Sequence, residues 1–185
     1  MSGSVPSRVL VIGATGQTGR LVVAAATRHG LHVRALARNV ERARKVLPGV
    51  DIVQGDLEDP ATLTAAVNGI DAIVFTHGEN SAGRSNAYRR VDYGGVANTL
   101  RVLGRRPVRI ALMTSINVTR ADNGAYQDLL DWKRRSERLV RLSDNPYTIV
   151  RPGWFDMTGP RDNRLVLEQG CSTPPFPTTR AGSTV

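Results

Sequence analysis

The feature that most limits what this chain can become lies in its first twenty residues. Arg8 to Ile12 is a short apolar run, and Gly13-Ala14-Thr15-Gly16-Gln17-Thr18-Gly19 follows it at once. Gln17 to Arg28 then carries Leu21, Val22, Ala25 and Ala26 at the spacing of one helix face. The pattern predicts a buried strand, a tight turn and a helix. In the spacing G-x-x-G-x-x-G each glycine has its own task. Gly13 lets the chain turn sharply, Gly16 lets a ligand approach the backbone, and Gly19 lets the helix lie close to the strand. A helix start offers N–H groups and the positive end of a dipole, so this turn suits an anion. Gly13, Thr15, Gly16, Gln17, Thr18 and Gly19 are therefore the expected holders of a dinucleotide pyrophosphate. A plain strand-to-helix turn is the alternative.

The same rhythm repeats along the chain. Leu31 to Ala37 reads as the second strand, after Gly30 has ended the first helix. Asn39 caps a helix over Val40 to Leu47, which Pro48-Gly49 stops. Val50 to Gln54 is the third strand. Asp59 and Pro60 open a helix to about Val67, and Ile70 to Thr76 is the fourth strand. A polar loop, His77 to Ser85, precedes a long helix over Tyr88 to Leu103. Val108 to Met113, Tyr126 to Leu142 and Tyr147 to Val150 give a fifth strand, a helix and a sixth strand. Strands alternating with helices imply right-handed crossovers and a parallel sheet covered on both faces. The expected fold class is α/β, a doubly wound Rossmann sheet of six strands in the order 3-2-1-4-5-6. The expected domain is 1–170. Residues 171–185 are rich in Ser, Thr and Pro and read as a poorly packed tail.

Composition removes several classes of function. A single cysteine, Cys171, allows no internal disulfide and no cysteine-built metal centre. His29, His32 and His77 have no ligand spacing, so no metal site is expected. No apolar run approaches the roughly 18 residues that a membrane span needs. A cytoplasmic protein is expected, with no membrane partner. The formal charge of +9 rests almost wholly on arginine, since Lys45 and Lys133 are the two lysines. The densest group, Lys133, Arg134, Arg135, Arg138 and Arg141, turns to several helix faces, as a solvated surface does. Without a recognition motif, nucleic acid is not an expected partner.

The residue at the tip of the second strand bears on which dinucleotide is bound. An acid there would accept the ribose hydroxyls of NAD, but this chain has Arg38, with Arg34 earlier on the strand. A guanidinium suits a 2′-phosphate, so NADP(H) is expected over NAD(H). A surface arginine with no such role is the alternative.

At this point a family resemblance is plain. The segments 9–20, 33–39, 55–57, 91–98, 113–115, 132–134 and 147–153 resemble, in order, those of the atypical short-chain dehydrogenase/reductases of the NAD(P)H-binding, NmrA-like group. The resemblance implies roles by position. Asp56 would accept from the adenine amino group, with Leu57 beside the ring, although a helix-capping aspartate is an equal reading. Thr76, His77 and Gly78 would pass the cofactor ribose. Ser115 would hydrogen-bond a substrate carbonyl, Lys133 the nicotinamide ribose, and Pro152 and Gly153 would pass the carboxamide. Ser115 and Lys133 are the candidate catalytic pair.

Two departures from the family pattern matter. Active reductases of this kind place a tyrosine four residues before the lysine, where it donates a proton as hydride reaches a carbonyl. Here that position is Leu129, and Tyr126 lies seven residues before Lys133, about 10 Å along a helix axis. Asp131 and Asp156 are acid candidates only if burial raises their pKa. The second departure is the change of composition after Gly170, which suggests a truncated or frame-shifted end. Three readings follow. The leading one is an NADP(H)-dependent oxidoreductase of a small carbonyl-type substrate. The second is a non-catalytic NADP(H) sensor with a protein partner, and the third a nucleotide-sugar isomerase.

Overall fold

The computed structural model describes residues 6–78, 86–120, 122 and 124–153. Six parallel strands form one sheet: β1 (Arg8–Ile12), β2 (His32–Ala37), β3 (Asp51–Gln54), β4 (Ala72–Phe75), β5 (Arg109–Met113) and β6 (Tyr147–Val150). Their order is β3-β2-β1-β4-β5-β6, as the alternation of elements required. The direction of strand addition reverses between β1 and β4, which opens a crevice at the carboxyl ends of those two strands. The helices are α1 (Gln17–Arg28), α2 (Val40–Val46), α3 (Thr64–Val67), α4 (Gly94–Leu103) and α5 (Gln127–Arg141).

Alternate residues of each strand feed two cores. Val9 and Val11 of β1 meet Val23, Val33, Ala35 and Leu47 on the side of α1 and α2. Leu10 and Ile12 point the other way, to Ile73, Phe75, Val96, Ile110 and Val140. Period-two alternation thus divides a nearly continuous apolar run between two buried faces.

Local chemistry sets the helix ends. Gly30, at φ 76°, follows the α1 C-cap His29. Its N–H and that of Leu31 donate to the carbonyls of Thr27 and Ala26, a paired closure that needs the left-handed conformation. Asn39 caps α2 by accepting from the Arg42 N–H at 2.8 Å. The stretch after Asp59 differs from a single helix. It is a 3-10 turn, Pro60–Leu63, running into the four-residue α3. Thr62 is the physical reason, because its hydroxyl donates to the Asp59 carbonyl at 2.7 Å and accepts from the Asp56 N–H at 2.9 Å, which tightens the turn.

So short a helix leaves its carbonyls without amide partners, and three arginines supply the donors. Arg34 Nη1 reaches the Ala65 and Asn68 carbonyls at 3.1 and 2.9 Å, Arg106 the Val67 carbonyl at 2.9 Å, and Arg8 the Gly69 carbonyl at 3.0 Å. Arg34 Nε also pairs with Asp51 at 2.8 Å. Arg34 is therefore structural, and only Arg38 of the two strand-two arginines is left for a ligand.

The long helix expected over Tyr88 to Leu103 is also divided. Arg89–Tyr93 forms a π turn ahead of α4. The wider turn directs the Asp92 side chain inward, where it is buried against α5. α5 in turn buries Leu130, Ser136, Glu137 and Val140. Glu137, its side chain 3% exposed, accepts from Thr114 Oγ1 at 2.8 Å and from Arg151 Nε and Nη2 at 2.9 and 2.6 Å. This buried carboxylate ties α5 to the ends of β5 and β6. Removing it takes from the partly buried Arg151 guanidinium the carboxylate that its Nε and Nη2 grip. Glu137→Ala is expected to lower unfolding free energy by about 3 kcal/mol, read as a shift of the urea midpoint at unchanged m-value.

Candidate functional site

The glycine turn closes as its spacing requires. Gly13 has φ 82°, and a Cβ there would lie 2.7 Å from the backbone nitrogen of His77. A Cβ on Gly19 would lie 2.1 Å from the Gly13 carbonyl oxygen. Neither approach is possible with a side chain, so β1, α1 and the end of β4 meet only because these positions are glycine. Gly16 is the N-cap of α1, in extended conformation and with no side-chain cap, and no acid stands in the first turn. The positive end of the helix is thus left for an outside anion. Thr15, Gly16 and Gln17 are exposed at this turn, with Thr18 half-buried.

The ends of β4, the π turn and α5 converge beside it. Lys133 Nζ donates to Asp92 Oδ1 at 2.8 Å, with side chains 13% and 2% exposed. A Cβ on Gly78 would stand 3.8 Å from that Nζ and 3.7 Å from that Oδ1. Lys133 is therefore not part of a solvated basic face, as its neighbours suggested. Ser136 Oγ shares its proton between the Asp92 carbonyl at 3.0 Å and the Trp132 carbonyl at 2.9 Å, which ties the π turn to α5. His77 Nε2 lies 3.1 Å from the Val91 carbonyl, so it carries the proton and donates. Burial holds the His77 pKa below its usual 6.5; the Asp92 charge works against this and the Lys133 charge with it.

The flanking candidates stand at neighbouring strand ends. Arg38 is exposed at the tip of β2 and makes no hydrogen bond or ion pair with another described residue. Asp56 does not cap a helix. Its Oδ1 accepts from the Glu58 N–H at 3.0 Å, which shapes the loop after β3, while Asp59 is the cap. Leu57 packs on Gly95, where a Cβ would come within 2.9 Å of it, and Asn98 Nδ2 holds the Leu57 carbonyl at 2.7 Å. Thr76 spends its hydroxyl on the Ile12 carbonyl at 2.9 Å. Ser115 follows β5, and its hydroxyl makes no hydrogen bond with another described residue. Pro152 is held beside it by the Ile116 N–H to Pro152 carbonyl bond at 2.8 Å, and Gly153 is exposed. Ser115 and Lys133 do not bond to each other.

Two buried side-chain acceptors have no protein partner among the described residues, His77 Nδ1 and Asn117 Oδ1. They lie just past β4 and β5, at the carboxyl edge of the sheet. The uncapped glycine turn, the Lys133 donors beside Gly78 and these orphaned acceptors fit a polar, anionic, elongated ligand such as a dinucleotide. Of the acid candidates, Asp131 pairs with Arg134 at 2.5 Å. Tyr126 is 54% exposed in a 3-10 turn before α5, and Asp156 lies outside the described residues. The tail 171–185 and the change at Gly170 lie outside them too. A groove of about 820 Å³ between α1 and α2 holds none of these candidates. Its Arg8 and Arg34 are committed to the carbonyls near α3. No group of metal ligands and no helix long and apolar enough to cross a membrane occurs among the described residues.

Sequence reasoning assigned no role to Asp92, Asn98, Thr114, Glu137 or Arg151. A signal existed for the α5 partners: Leu130, Lys133, Glu137 and Val140 recur at three- and four-residue steps, so a lysine and a glutamate stand on the apolar face. No local signal marks a π turn.

Comparison with known proteins bears on the family and the fold. The model of a family described as NAD(P)H-binding matches residues 13–181. The photosystem II assembly factor Ycf39 of Synechocystis is 30% identical over 175 residues, 90% of this chain and 53% of that protein. Sanguinarine reductase of Eschscholzia californica is 29% identical, covering 80% of this chain and 69% of its own length. A solved protein of the NAD-dependent epimerase/dehydratase type from Bacillus halodurans superposes with a TM-score of 0.73 at 27% identity, over 80% of this chain and 70% of that one. The chain spans about half the length of several curated relatives it matches.

The buried imidazole has a consequence for stability. A folded-state pKa below 6.5 means the unfolded chain binds this proton more readily, so stability is full above about pH 6.5 and declines as pH falls through the lowered value. His77→Gln should flatten the fall of Tm between pH 7 and 5. Parallel Tm curves for the two proteins would contradict this.

Proposed function

This chain belongs to the NAD(P)H-binding family, and on that premise we propose that it is an NADP(H)-dependent oxidoreductase of a small carbonyl-type substrate. One observation carries the reading. The β4 end that packs against Gly13 through His77 continues into Gly78, which lies against the Lys133 ammonium. A dinucleotide with its pyrophosphate on the Gly13–Gly19 turn then has Lys133 at its nicotinamide-side ribose. Asp56 retains one carboxylate oxygen for the adenine amino group, and Leu57 provides an apolar wall. Arg38, exposed and unpaired among the described residues, is suited to a 2′-phosphate. Ser115 offers its hydroxyl to a substrate carbonyl, and Pro152 and Gly153 border the carboxamide. When bound, the nicotinamide supplies or accepts the hydride. A single cysteine and the lack of a membrane-length apolar helix among the described residues fit the cytoplasm as its compartment.

Leu129 favours a second reading, an NADP(H) sensor acting through a protein partner. It puts an alkyl side chain where active reductases hold a proton donor. The isomerase reading needs the same tyrosine and gains nothing from the geometry.

Fluorescence titration with both cofactors tests the proposal. NADPH should bind more tightly than NADH, and Arg38→Ala should weaken NADPH about tenfold while leaving NADH unchanged. NADH binding as tightly as NADPH would overturn the NADP(H) preference. Turnover of aldehyde, ketone or quinone substrates supports the enzyme; tight binding without turnover supports the sensor.

A further inference from the structure

Asp92 has so far appeared only as the partner of Lys133, but its surroundings give it a larger part. Three elements hold it in place. The π turn aims its side chain inward, Ser136 Oγ holds its carbonyl at 3.0 Å, and the neighbouring Val91 carbonyl accepts from His77 at 3.1 Å. Its backbone is thus tied on both sides and its short side chain is 2% exposed, so the lysine meets a carboxylate with little room to move. A lysine side chain has four rotatable bonds and gives its ammonium no fixed position unless something anchors it. Here one N–H is fixed on Asp92 Oδ1 at 2.8 Å, and no other described residue takes the remaining two donors. Those donors are left beside the bare Gly78 backbone. In the tyrosine–x–x–x–lysine reductases the lysine has a tyrosine hydroxyl nearby, whereas here Leu129 offers no polar atom.

We propose that Asp92 is a positioning residue: it fixes the Lys133 ammonium at Gly78, so that two oriented donors meet the nicotinamide-side ribose of the dinucleotide. The proposal rests on the cofactor-binding reading above. The π turn is part of it, because it is the element that carries the buried Asp92 against Lys133 of α5. The pair also delivers donors without adding net charge, so the pyrophosphate keeps the α1 N-terminus as its electrostatic anchor.

The test uses the full chain and two probes, NADPH and adenosine 2′,5′-bisphosphate, which lacks the nicotinamide half. Asp92→Asn keeps the shape of the side chain and removes its charge. It should raise the Kd for NADPH about tenfold and leave the Kd for the bisphosphate unchanged within about twofold. Lys133→Gln should show the same split, and the double variant should be no weaker than the worse single one. If Asp92→Asn does not fold, Asp92→Glu carries the comparison: moving the carboxylate out by one methylene should weaken NADPH and spare the bisphosphate, and an unchanged Kd for NADPH would overturn the role. A variant that weakens both probes alike, or neither, overturns the positioning role, since a general structural role would affect both. If the unaltered chain binds the bisphosphate but not NADPH, the proposal also fails. If it binds neither, the cofactor reading falls and takes the proposal with it.

Discussion

The contact between Gly19 and the Gly13 carbonyl is the constraint on which the rest depends. A methyl carbon at Gly19 would sit 2.1 Å from that oxygen, so the first helix reaches the first strand only where a side chain is missing. The same turn brings Gly13 onto the backbone of His77, at the carboxyl ends of β1 and β4. The crevice of the sheet opens at those strand ends, beside the uncapped N-terminus of α1.

A second level of order comes from α5. Its inner face carries two ionisable side chains among apolar ones. Lys133 reaches the π turn through Asp92, and Glu137 reaches the ends of β5 and β6 through Thr114 and Arg151. Burying charge is costly unless it is paired and hydrogen-bonded, and both groups are. They draw the π turn and two strand ends to one helix. The candidate site is thus framed by a backbone contact on one side and two buried ion pairs on the other.

The fold was legible because it rests on periodicity. Alternation along Val9 to Ile12, the helical spacing from Leu21 to Ala26, and Gly30 in its left-handed cap each leave a mark in neighbouring residues. The strand ends and the glycine turn followed. What was not legible depends on partners distant in sequence. Nothing near Arg34 says that its guanidinium serves Ala65 and Asn68, and nothing near Asp92 says that it meets Lys133, 41 residues on. A long helical pattern from Tyr88 also does not show where one turn widens. The bonds that Asp56 and Thr76 make within the protein were not visible either: Asp56 accepts from the Glu58 N–H in the loop after β3, and the Thr76 hydroxyl donates to the Ile12 carbonyl at the end of β1.

The arginines gathered around α3 change what the basic composition means. Arg8, Arg34 and Arg106 turn their N–H groups onto carbonyls of the chain itself. A polyanion approaching that end of the sheet would meet positive charge whose directed donors are partly used, and so little of the forked geometry that recognises phosphate. Lysine, with one compact ammonium, cannot span two carbonyls and a carboxylate as Arg34 does. These three arginines thus act as mortar, and a drift of their positions toward lysine would be felt first as a loosened sheet end.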